Sequence, residues 1–346
     1  MSGLKSLPEH IFHFIESGVV AEFATVSAAG VPIDTPTYYF PSDDMATIDL
    51  ATGLPNPAKA ERARHNPKVG LLIEGRPEEP LVVIRARAAV RDSDLQANCV
   101  RYIAETGFKG ISHGLGWEKA REAVTYWSRI IIENTPERVY WWDSQAKMDQ
   151  APNTWSAPAG TRFPVSDPES KDKMKRSAWE ARPWQIVAAD AVKSGAAAHL
   201  TVLDEDGYPL PMRARSFEVT EHGFRLAMPR GVPWRIAGKA SITFAGFQTF
   251  VGETSQEGDV TLFTVERALP QHPSTVDTKQ VLQPSEDTKR KAWARLEYEA
   301  QRRGQPIPTP PLEAPAPTRL AKVRQARIAS DAPITGLTAD HGNRTT

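Results

Sequence analysis

Apolar positions along this chain come in short runs separated by Gly, Pro, Asn and Asp, a spacing that predicts strands more often than helices. Residues 19–26, 31–40, 46–52, 69–74 and 81–91 read as strands. The second does so despite Pro32 and Pro36, because proline is tolerated at strand starts and sheet edges. Residues 129–133 and 138–142 read as a closing strand pair. Helical spacing appears in residues 7–17, with Ile11, Phe14 and Ile15 on one side, and in residues 57–65, stopped by Asn66-Pro67. It appears again in residues 94–105 and 117–128. Many short strands with tight turns argue for a barrel rather than a parallel α/β sheet.

After a polar, proline-containing stretch, residues 144–175, the pattern returns. That stretch reads as a linker, with Trp155 and Phe163 as places where it packs on something. Residues 179–194 read as helical. The first unit runs Thr25-Val26, turn, Gly30-Val31-Pro32, strand, Leu50-Ala51-Thr52. The second runs Thr201-Val202, turn, Gly207-Tyr208-Pro209, strand, Leu226-Ala227-Met228. The copies then diverge. The stretch from Leu226 to Ala240 is shorter than that from Leu50 to Val69, so the second copy is expected to lack the helix found there in the first.

The expected fold is mainly β with α: two tandem split β-barrel units of Greek-key type with short flanking helices. Residues 1–145 form the first unit, 146–176 the linker, 177–270 a degenerate second unit, and 271–346 a helix plus a Pro-rich tail. Within that tail residues 287–303 are amphipathic, with Trp293, Leu296 and Ala300 on one face. Residues 306–317 are proline-rich and expected to be extended. Residues 318–346 hold few large apolar side chains and are expected to be flexible. Arg319, Lys322, Arg324 and Arg327 make them locally basic, as a solvated tail or for a weak anionic partner.

Charge narrows the partners. Lys+Arg and Asp+Glu each number 42, so no global basic field exists for nucleic acid. One thiol, Cys99, cannot form an intramolecular disulfide and reads as a small residue in a helix. No apolar run is long enough to span a membrane, and the first residues lack a secretion-signal core. A cytoplasmic protein with no membrane partner and a small-molecule ligand is expected.

The segment from Ala51 to Pro67 carries candidate chemistry. A strand ends at Thr52, a Gly/Pro/Asn loop follows, and a helix starts near Pro57. A helix start offers unpaired N–H groups and the positive end of the helix dipole, which suits a phosphate. Thr52 adds a hydroxyl, Lys59 a mobile cation, and Arg62 a second cation on the same helix face. Ordinary solvated charges on a surface helix are the alternative.

The run Phe23-Ala24-Thr25-Val26, Gly30-Val31-Pro32, Pro36-Thr37-Tyr38-Tyr39-Phe40, Leu50-Ala51-Thr52 and Lys59 through Asn66-Pro67-Lys68-Val69 resembles the FMN-binding split barrel of the pyridoxamine 5'-phosphate oxidase-like superfamily. The resemblance covers roughly residues 8–145. It implies that Thr52 and Lys59, with Arg62 near them, hold a flavin phosphate. It implies that the backbone of Thr35, Pro36, Thr37 and Tyr38 lines the ring. The activity it implies is that of an FMN-dependent oxidoreductase acting on a small organic substrate or reduced nicotinamide. A deazaflavin-dependent reductase, or a non-enzymatic flavin or haem carrier, are the alternatives on the same fold. Family members are usually dimers, so a homodimer is one arrangement and an internal groove between tandem units another. No residue pins the pyridoxamine phosphate substrate, and no catalytic residue is named.

Other candidates are weaker. His10 and His13 lack partner ligands, so no metal is expected. His113 reads as a loop residue. Trp141-Trp142 read as core or interface packing, with the groove as the alternative. Arg129 is a candidate second anion contact. No Gly-rich dinucleotide fingerprint follows a strand, and no nucleophile elbow is recognisable.

Overall fold

The computed structural model describes residues 3–107, 115–170, 172–174, 182–244, 248–270 and 285–329. His113 therefore lies outside the described residues. The first unit contains α1 (Glu9–Ser17), β1 (Val20–Val26), β2 (Pro32–Pro41), β3 (Ile48–Gly53), α2 (Ala58–His65), β4 (Lys68–Glu74), β5 (Leu81–Arg91) and α3 (Leu95–Thr106). Two single-turn helices follow, α4 (Trp117–Ala120) and α5 (Val124–Trp127), then β6 (Arg129–Trp142) and β7 (Asn153–Ser156). Its strands run β3-β2-β1-β4-β5-β6, and β6 pairs back with β3, which closes a six-stranded barrel. Closure removes the sheet edges that would otherwise invite foreign strands.

The second unit contains α6 (Trp184–Lys193), β8 (Ala198–Leu203), β9 (Pro209–Arg213), β10 (Ser216–Val219), β11 (Gly223–Ala227), β12 (Gly238–Phe244), β13 (Gln248–Glu257) and β14 (Val260–Ala268). Its order, β9-β8-β12-β13-β14-β11-β10, traces the same path as β2-β1-β4-β5-β6-β3. The counterpart of β2 is broken at Ala214-Arg215 into β9 and β10, so this sheet curls as a half-barrel. Between β11 and β12 no helix forms, whereas α2 stands between β3 and β4.

The repeat is real, but its register differs from the sequence match. Gly30 N–H donates to Ser27 O and Gly207 N–H to Asp204 O, and both glycines have positive φ, 73° and 80°. Val31 N–H donates to Ser27 Oγ, and Tyr208 N–H to Asp204 Oδ1. Val26 pairs with Pro32, as Leu203 pairs with Pro209. Thr25 therefore corresponds to Val202, not Thr201. A one-residue shift changes the face on which a strand residue lies. Val202 accordingly joins the second unit's apolar core, while Thr201 is buried elsewhere with no hydrogen-bond partner for its hydroxyl.

Several expectations are corrected. The closing strand pair is one strand, β6, carried past Pro136 by a register shift in its pairing with β5. Residues 117–128 form two separate turns rather than one helix. The expected linker contributes β7, which pairs with β6, and Asp167, which accepts from the Asp92 and Ser93 amides. Phe163 lies under Arg87, and Trp155 donates to Ser6 Oγ. The tail contributes α7 (Glu286–Arg302) and α8 (Arg319–Ala329). Leu296 and Ala300 of α7 join the first barrel's core, and Leu320, Ala321 and Arg324 of α8 are buried. Residues 319–329 are thus helical, where flexibility was expected from residue 318.

The units meet along β1, β2, β4 and β5 of the first barrel and β8, β9 and β12 of the second. Every residue of β1 is buried, because Phe23 faces the barrel core while Glu22 meets the second unit. At Gly70 a Cβ would stand 1.8 Å from Pro209 O, so only glycine lets β4 and β9 approach this closely. Trp141 packs into the first core and Trp142 into the second, with Trp142 Nε1 donating to Gln150 O, so both are packing residues.

Candidate functional site

The loop between β3 and α2 is pinned from below. Leu54 is fully buried and its N–H donates to Ser128 O. Asn56 N–H donates to Gly53 O, and Thr52 Oγ1 donates to Asn56 O at 3.2 Å. The Thr52 hydroxyl thus spends its proton on closing the loop and keeps its lone pairs for a donor. Pro57 caps α2, and no side chain satisfies the first N–H groups of the helix.

Helix α2 has three faces. Ala60 and Ala63 are buried in the barrel core. Lys59 and Arg62 turn toward β1: Lys59 Nζ lies 6.0 Å from the Phe23 ring centroid, and Arg62 Nε donates to Thr25 Oγ1 at 2.8 Å. Glu61 and Arg64 turn the other way, into ion pairs. The structure therefore brings Lys59 and Arg62 together.

Burial, then Arg62 and also Arg129, pushes the Lys59 ammonium down to about 7, with Glu22 and Asp34 opposing. Burial likewise lowers Arg62 to about 10. Among the described residues Lys59, Arg62 and Arg129 make no ion pair, whereas Arg64, Arg85, Arg91, Arg101, Arg302 and Arg303 all do. The Arg129 guanidinium lies 4.4 Å from the Tyr102 ring centroid and 4.3 Å from that of Tyr126. Its Nε has no hydrogen-bond partner, and it lies beside Gly53, where a Cβ would come 3.5 Å from Nη1.

The remaining expected residues divide between the two faces of β2. Thr35 is paired with Phe23 and Thr37 with Ala21, on the barrel side. The Thr35 hydroxyl is buried without a partner, and Thr37 Oγ1 lies 3.5 Å from Ala51 O. Pro36 pairs with Glu22 on the opposite face, and Tyr38 packs with the cluster of Phe40, Tyr102 and Trp127. Burial and Tyr102 raise the Tyr38 phenol well above its ordinary range. Side chains at 35–38 therefore do not converge on one point.

Their backbone does share a feature. The β2–β3 ladder covers only Tyr39, Phe40 and Pro41, while β3 from Leu50 to Gly53 pairs with β6. Residues 34–38 of β2 thus run past a split on their β3 side. At its far end the second unit arrives: Thr249 Oγ1 donates to Asp34 O, and Ser241 and Thr243 hydroxyls donate to the Asp34 carboxylate. Burial, then Glu22, pushes Asp34 up to about 7.

Tyr102 and Tyr126 had no sequence signal that marked them, and Asp34 was marked only by its backbone, in the strand 34–39 that the resemblance places along the ring, not by its carboxylate. They come from a strand, a helix and a single turn that only the fold assembles. Among the described residues no group of three or more His, Cys, Asp or Glu side chains is arranged to hold a metal ion, and no helix is long and apolar enough to cross a membrane.

No family model matches the chain, and no curated protein does. Solved structures do. A pyridoxamine 5'-phosphate oxidase-related, FMN-binding protein of Nostoc punctiforme is 14% identical, covering 40% of this chain and 85% of its own, at a TM-score of 0.31. General stress protein 26 of Bacillus anthracis is 15% identical over 43% of this chain and 96% of its own, at 0.28. An FAD-binding protein of Mesorhizobium loti is 19% identical over 37% and 88%, at 0.25. The barrel assignment itself stands on strand order and closure.

Proposed function

We propose that the first barrel binds a phosphorylated flavin, FMN, and that the protein is an FMN-dependent oxidoreductase for a small organic substrate or reduced nicotinamide. The observation that carries this reading is the set of three cations without ion pairs, Lys59, Arg62 and Arg129, around the start of α2. Half-buried cations crowded together with no carboxylate in ion-pair contact are costly, and a phosphate monoester relieves that cost. Lys59 and Arg62 would hold the phosphate, with the free N–H groups of α2 behind it, and Thr52 would join them by turning its hydroxyl proton from Asn56 O to a phosphate oxygen. The β2 backbone along the split would face the polar edge of the ring, with the partnerless Thr35 hydroxyl close by. When bound, the flavin supplies the electron transfer, and the protein supplies anchoring and orientation.

The test is a titration of the purified full chain with FMN, a deazaflavin cofactor and haem, followed by absorbance and fluorescence, with Lys59→Ala in parallel. FMN binding that weakens by about 100-fold in Lys59→Ala is the expected result, as for loss of a charge-assisted contact in a partly dry site. Preference for the deazaflavin keeps the anion site and changes the cofactor. No binding of any of the three by the wild type overturns the reading.

A further inference from the structure

The face of α2 opposite Lys59 and Arg62 enters a closed ionic network with α7. Arg302 bonds to Glu61 through Nη2, to Glu299 through Nε at 2.9 Å and to Asp172 O through Nη1 at 2.9 Å. Arg303 bonds to Glu61 at 2.8 Å, to Asp92 at 2.8 Å and to Glu299 at 2.5 Å. Arg64 of α2 completes the ring to Asp92 at 2.7 Å. Three carboxylates, Glu61, Asp92 and Glu299, meet three guanidiniums, Arg64, Arg302 and Arg303. The side chains of Arg302 and Arg303 are 2% and 4% exposed, so solvent screens these contacts little.

Helix α2 needs such a hold. It spans eight residues, too few for an isolated helix to be stable in water. Its buried contacts come from the two alanines Ala60 and Ala63, whose methyl groups fix rotation about the helix axis weakly. Forked arginine contacts fix direction as well as distance. A rotation of α2 that breaks the Glu61 contacts also swings Lys59 and Arg62 away from β1, because all three side chains ride on the same short helix.

We propose that α7 is a positioning element for the anion site, with Arg302 and Arg303 holding α2 in the orientation that aims Lys59 and Arg62 at a phosphate. This rests on the anion-binding reading of that site. The network balances its own charge, so its effect on a ligand is through geometry rather than through added positive potential.

Isothermal titration of the full chain with inorganic phosphate and with FMN tests the proposal. Arg302→Lys keeps the charge and removes the fork; the dissociation constant is expected to rise about tenfold, the scale on which a small misplacement of a binding group acts. Glu299→Gln touches the two arginines and no residue of α2, and the same direction of change is expected. In a Lys59→Ala background Arg302→Lys should add no further loss, because the group it positions is gone. A purely structural role instead lowers the melting temperature while leaving the dissociation constant of the folded variant unchanged, or gives losses that add to Lys59→Ala; either result overturns the proposal. Should Arg302→Lys not fold, Arg303→Lys and Glu299→Gln carry the same comparison. Wild-type protein that binds neither phosphate nor FMN removes the functional reading itself, a failure distinct from that of the variants.

Discussion

Lys59 sits where burial and two neighbouring guanidiniums act together against its proton. Its folded value of about 7 lies below the ordinary 10.5, so between those two values the unfolded chain binds more protons than the folded one. Stability therefore rises with pH across that window, and the charged lysine is a liability to the empty fold near neutrality. A bound phosphate reverses the balance by favouring the ammonium. Phosphate affinity is expected to fall as pH rises past about 7, and calorimetry across that range should find the slope missing in Lys59→Met. The same variant should melt at a higher temperature than wild type at neutral pH, while binding less. Lys59 and Arg62 were legible in the sequence because three positions on a helix fix a shared face. Arg129 was legible as a cation, but not its placement between Tyr102 and Tyr126, which depends on α3 and α5 packing over β6.

Among elements, hairpins and helices with local signals were foreseen, and elements stabilised by distant contacts were not. The β1–β2 and β8–β9 hairpins carry their own turn chemistry, a Ser or Asp acceptor followed by a glycine three residues on. Gly30→Ala and Gly207→Ala should each cost about 1–2 kcal/mol, the usual penalty of a side chain at left-handed φ, measured by chemical denaturation. Near-equal losses would support the structural equivalence of the two turns; a loss at one alone would argue against it. By contrast, α8 has weak local signals and is helical because Leu320 and Ala321 are buried and Arg324 meets Glu105. The pattern broke the closing strand between residues 133 and 138, yet β6 continues through Pro136 because the register shift relative to β5 removes the need for a hydrogen bond there.

At the scale of the molecule, the two units are joined by buried charge as much as by apolar surface. His199 is fully buried, with Nε2 2.9 Å from Glu74 and Nδ1 3.3 Å from Glu22, and Arg213 also reaches Glu74. Glu74 and Glu22 outweigh burial and push His199 up to about 10 from 6.5. Its contribution to stability is thus fully present below 6.5 and is lost as pH rises toward about 10. His199→Leu leaves two buried carboxylates short of a partner and should cost about 3–5 kcal/mol. Thermal unfolding should show the gap between variant and wild type narrowing at alkaline pH; a gap that is constant with pH would mean that His199 is neutral in the fold.

The sequence by itself determined the strand-rich class, the tandem repeat, the loss of α2 from the second copy and the cation pair on α2, because each depends on neighbours within a few residues along the chain. Only the tertiary structure decided that the second sheet stays half open, that Asp34 is held by hydroxyls from the other unit, and that the C-terminal segment clamps the helix bearing Lys59. Those features depend on groups far apart in the chain, and local periodicity carries no record of which buried charge will meet which.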